Sequence, residues 1–74
     1  MIDRLLLQHH LAQAEKAVAR SEQHVARHRA IVAELERVGR GAKASREVLK
    51  QFELLLANHI ADRDRWRGDL KDKN

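Results

Sequence analysis

The sequence predicts an all-α protein, an antiparallel two-helix coiled-coil hairpin that dimerises into a four-helix bundle. Three observations carry this. Apolar or small residues recur at alternating spacings of four and three, the chain contains no proline, and Gly39 and Gly41 stand together near its middle. The period-two alternation of a half-buried strand is found nowhere.

In the first half the repeat falls on Leu7, Leu11, Ala14, Val18, Ser21, Val25, His28, Val32 and Leu35, with Ile31 and Val38 widening the stripe. This is a heptad seam held over four repeats, so a helix is expected from about residue 3 to about residue 38. Asp3 is placed to cap its start, because a short carboxylate can accept from the unpaired N–H groups of the first turn. Gly39 stands where a left-handed residue can close the helix, and a turn over 39–41 lets the chain reverse.

A second helix is expected over about 42–67, with Ser45 as an alternative start. Its seam runs through Leu49, Phe52, Leu56, His59, Arg63 and Trp66, broadened by Val48, Leu55 and Ile60. Gly68 is expected to end it, leaving 68–74 as a fraying tail. A short connection makes consecutive helices antiparallel neighbours. Folding about residue 41 pairs positions whose numbers sum to 82 or 83, which sets Val38 against Ala44, Leu35 against Val48, and Val32 or Ile31 against Phe52. Trp66 then lies near Ala14 and Ala17, a large ring opposite small residues.

A chain of 74 residues has a small core, and Phe52 and Trp66 are its only aromatic side chains apart from histidine. Cysteine is absent, so neither disulfides nor thiolate metal sites can add stability. In the expected register the segment up to about residue 10 has no partner on the second helix, although it carries Ile2, Leu5, Leu6 and Leu7. Together with Leu11 these residues are the expected homodimer interface, since exposed apolar patches mark association. A frayed N-terminus on a monomer is the competing reading. The run Leu5-Leu6-Leu7 is too short to span a membrane and lacks a signal-peptide pattern, so a cytoplasmic protein is expected.

Two clusters invite a chemical reading. His24 and His28 lie four apart on one helical face, and the fold-back brings His59 opposite His24, a set that could hold zinc, nickel or copper. Equally, His28 and His59 occupy seam positions, where neutral imidazoles simply pack. Around the turn, Arg37, Arg40, Lys43, Arg46 and Lys50 face only Glu47, so the whole +4 formal charge of the chain falls there. A phosphate, a nucleic acid or an acidic protein surface could bind such a tip, and the same residues also offset a helix dipole and keep an exposed turn solvated. The alternating run Asp62-Arg63-Asp64-Arg65-Trp66-Arg67 reads as an ion-paired face, with Asp62 reaching Arg65, Asp64 reaching Arg67, and Arg63 and Arg67 flanking Trp66.

Catalysis is not expected. Ser21 and Ser45 sit on no nucleophile elbow, no glycine-rich phosphate loop exists, and Glu34 and Glu36 point to different faces. No cofactor is implied.

The stretch His24-Val25-Ala26-Arg27-His28 leads into Val32-Ala33-Glu34-Leu35-Glu36 and a glycine turn. A helix carrying Phe52-Glu53 then ends in His59-Ile60-Ala61-Asp62-Arg63-Asp64-Arg65. From about residue 13 to residue 70 this resembles a group of short bacterial two-helix proteins with no established function. The resemblance implies the hairpin plan and no activity. The expected role is a homodimeric adaptor or regulator acting by protein contact. A nucleic-acid-binding regulator using the basic tip is the alternative, and a metal-binding protein ranks third.

Overall fold

The computed structural model describes residues 3–72. Two helices, α1 (Arg4–Arg37) and α2 (Lys43–Asp72), pack along each other, and no strand is formed among the described residues. Asp3 is extended (φ −65°, ψ 143°), and its Oδ1 accepts from the Leu5 N–H at 3.4 Å, so the expected cap is in place. At the other end the Arg40 N–H donates to the Leu35 carbonyl at 2.9 Å and the Gly39 N–H to that of Glu36 at 3.2 Å. These two bonds form a Schellman closure, which requires a left-handed residue, and Gly39 supplies it at φ +74°.

Helix α2 opens with the Arg46 N–H donating to the Ala42 carbonyl at 2.8 Å, so the buried Ala42 stands at its cap and Ser45 lies inside the helix. Its far end departs from expectation. The helix continues through Gly68 to Asp72, because Gly68 takes no positive φ there and leaves the ladder unbroken. The extension gives the first turns of α1 a neighbour. Leu7 is 1% exposed and the His10 ring stacks on Trp66, so the N-terminal arm is partnered by α2 from its second turn onward.

Every expected seam residue of α1 is buried or half-buried: Leu7, Ala14, Val18, Ser21, Val25 and Val32 are buried, and Leu11, His28 and Leu35 are half-buried. The expected seam of α2 is half-buried throughout, and α2 contains no fully buried residue. Three ion pairs cross between the helices: Arg67–Glu15 at 3.3 Å, Arg29–Glu53 at 3.1 Å and Arg46–Glu36 at 2.9 Å. The partners' numbers sum to 82 in each, which fixes an antiparallel register. Between the helices the layers sit slightly closer to the N-terminus of α1. Phe52 stacks on His24 and His28, at centroid distances of 5.3 and 4.6 Å, one turn from the expected Val32 and Ile31.

Candidate interaction surface

The expected metal set does not come together. The rings of His24 and His28 both lie nearly parallel to Phe52, which fills the space beside them. His59 lines a separate groove with His10, Gln13, Ala14, Ala17, Asp62 and Trp66. Among the described residues no group of three histidine or carboxylate side chains is placed to hold an ion. Residue numbering sets His59 level with His24, but His24 lies against Phe52 while His59 lines the groove of His10 and Trp66.

At the turn, folding changes the charge balance. The Arg37 guanidinium forks onto Glu34, with Nε at 3.0 Å and the terminal nitrogen at 2.6 Å from its two carboxylate oxygens. This hydrogen bonding holds the Glu34 carboxyl below the usual glutamate range and raises the Arg37 guanidinium. Arg46 pairs with Glu36 across the helices. Two of the five tip cations are therefore matched by acids that lie just before the stretch counted in the sequence. Arg40, Lys43 and Lys50 form no ion pair among the described residues.

Near the open end, Asp62 pairs with Arg65 as expected, at 2.8 Å. Asp64 instead takes Arg63, and Arg67 crosses to Glu15. The guanidinium over Trp66 belongs to Arg65, 5.2 Å from the ring centre, and not to Arg63 or Arg67. His10 stacks on the same indole, at 4.6 Å. Trp66 also shares its groove with Ala14 and Ala17, the small residues expected opposite it.

The expected dimer residues are divided. Leu5 and Leu6 are exposed, at 73% and 45%, Leu11 is half-buried, and Leu7 is sealed inside the hairpin where no second copy could reach it. Ile2 lies outside the described residues. A second exposed apolar surface stands elsewhere. Ile31 and Val48 line one shallow groove with His28, Ala44 and Ser45, and Val48, Gln51, Phe52 and Leu55 line the next. Val48 joins the two, so they form one continuous strip. Ile31, Val48 and Leu55 are the residues expected to widen the seam, and a lone hairpin leaves one side of so wide a stripe wet. Their alignment along one side could have been found by following the seven-residue repeat of the positions beside the seam.

Compared with known proteins, the chain gives no significant match to a family model, to a curated protein or to a solved structure. Among the described residues no helix is long and apolar enough to cross a membrane.

Proposed function

We propose that the chain is a non-enzymatic helical-hairpin module that works as a homodimer and acts by protein contact as an adaptor or regulator. One observation carries this reading: α2 has no fully buried residue, yet it holds Val48 and Leu55 exposed at 39% and 45%. A chain of this size gains little stability from a single two-helix seam, and association is a common way to complete such a core. The four-helix bundle is the assembly in which the exposed sides of two such hairpins cover each other.

The test is the mass in solution. Light scattering on the 8.6 kDa chain should return twice that mass at micromolar concentration and above. A single-chain mass across the accessible concentration range would refute the reading. A nucleic-acid contact at the tip keeps Arg40, Lys43 and Lys50 as its cations, but no aromatic stands there to stack a base, and the Glu34 and Glu36 pairs weaken it. Binding to random DNA or RNA at low salt that falls steeply as salt rises would favour it instead.

A further inference from the structure

The two sides of the seam are built from different chemistry. On a helix the residues directly after alternate seam positions line one flank, and those directly before the other alternate positions line the opposite flank. On the first flank stand Glu15, Arg29 and Glu36 of α1 with Arg46, Glu53 and Arg67 of α2. All six are joined across the seam in the three ion pairs. On the second flank the corresponding residues are His10, Ala17, His24, Ile31 and Val38 of α1, facing Val48 and Leu55 of α2, with charge only at Asp62 and Asp69 near the open end. One side is closed by charge, and the other is left open. The groove of Ile31 and Val48, the groove of Val48 and Leu55, and the groove of Ala17 and Trp66 all open on this second flank.

Resting on the proposed self-association, we infer that the uncharged flank centred on Ile31, Val48 and Leu55 is the face on which a second copy of the chain docks. Size points to that occupant. The three grooves follow one another along a molecule that is 55 Å long and 13–14 Å across between Cα atoms. Only a partner that is itself a long, narrow helical body covers such a side along its length, and the chain is one. Chemistry points the same way. From Ala44 to Asn58 the flank residues of α2 are Val48 and Leu55, and its margin residues Ala44, Gln51 and Asn58 are uncharged as well, so α2 offers no counter-charge there to a basic or acidic partner. An apolar strip can be complementary to itself, as a two-fold interface requires. Arg20, Arg27 and Glu34 stand only on its outer margin, where an interface keeps its polar rim.

The experiment compares charge substitutions by sedimentation equilibrium of the full chain. The double variant Val48→Glu with Leu55→Glu should weaken the dimer about tenfold or more. Leu54→Glu, on the outward side of α2, and Leu5→Glu, in the arm, should leave its dissociation constant unchanged. A wild-type dimer that tolerates the double variant, or that is broken by Leu5→Glu or Leu54→Glu instead, overturns the placement of the face while leaving self-association standing. A wild-type monomer defeats the proposed function itself. Should the double variant lose its helical circular dichroism, single cysteines decide the matter, since the chain has none of its own. A Val48→Cys thiol should be alkylated more slowly in concentrated than in dilute protein, and a Leu54→Cys thiol equally fast in both. Equal rates for the two thiols overturn the inference.

Discussion

Val25 and Leu54 are both aliphatic residues in mid-helix, and truncation should separate them sharply. Val25 is 2% exposed between the helices, so Val25→Ala removes buried methyl groups and leaves a void, a loss of about 2 kcal/mol in thermal or urea unfolding. Leu54 is 60% exposed, and Leu54→Ala should stay within about 0.5 kcal/mol. Glu34 shows what an exposed pair contributes. Arg37 holds its carboxyl below the usual glutamate range, so the pair stabilises the fold above the unfolded-state value and loses that effect as pH falls through the lowered one. The melting-point difference between the wild type and Glu34→Gln should therefore be present at neutral pH and vanish in acid below the usual glutamate range. It should also fade in about 1 M salt, where the screening length is about 3 Å. Trp66 is the sole indole, and it carries His10 on one face. His10→Ala should therefore change the emission of that indole, measured by fluorescence at neutral pH.

At the scale of the helices, the glycines divide by backbone conformation. Gly39 closes α1 at φ +74°, where a side chain is strained, so Gly39→Ala should cost about 1 kcal/mol or more. Gly68 sits in an unbroken helix, and a Cβ there would meet nothing within 4 Å. Gly68→Ala should add about 0.5–1 kcal/mol and raise the melting point by several degrees, measured by circular dichroism. The two helices and their seam were legible because heptad spacing reports directly which residues face a partner. The Asp3 cap and the Gly39 closure were legible because each needs a particular side chain. The end of α2 was not, since glycine closes a helix only when the chain adopts positive φ, and composition does not reveal which glycine will. Whether the histidines converge was not legible for a related reason. Register gives their height along the hairpin but not that the Phe52 ring fills the space beside His24 and His28.

For the molecule as a whole, the thin seam and the open flank tie the proposed association to stability. If the hairpin is completed by a second copy, its melting temperature should climb with protein concentration, because mass action favours the paired state. The Val48→Glu, Leu55→Glu variant should lose that dependence. A concentration-independent melt would count against self-association. The expected assembly surface at Leu5, Leu6 and Leu7 arose from the expected register, which left the segment up to about residue 10 without a partner. With the layers lying closer to the N-terminus of α1 and α2 continuing to Asp72, Leu7 is interior, while Ile31, Val48 and Leu55 stay exposed.

The order of acids and bases on the closed flank also protects the position of the bend. Reversing the chain three or four residues earlier would slide the helices past each other by one heptad, setting Glu22 against Glu53 and Arg29 against Arg46. A slide the other way would set Glu36 against Glu53 and keep only one opposite pair, Glu22 with Arg67, where there are now three. Like charges would then meet where opposite ones now bond, so the misaligned hairpins that a repetitive seam tolerates are each penalised. The charges thus select one alignment among several that the apolar repeat alone would accept.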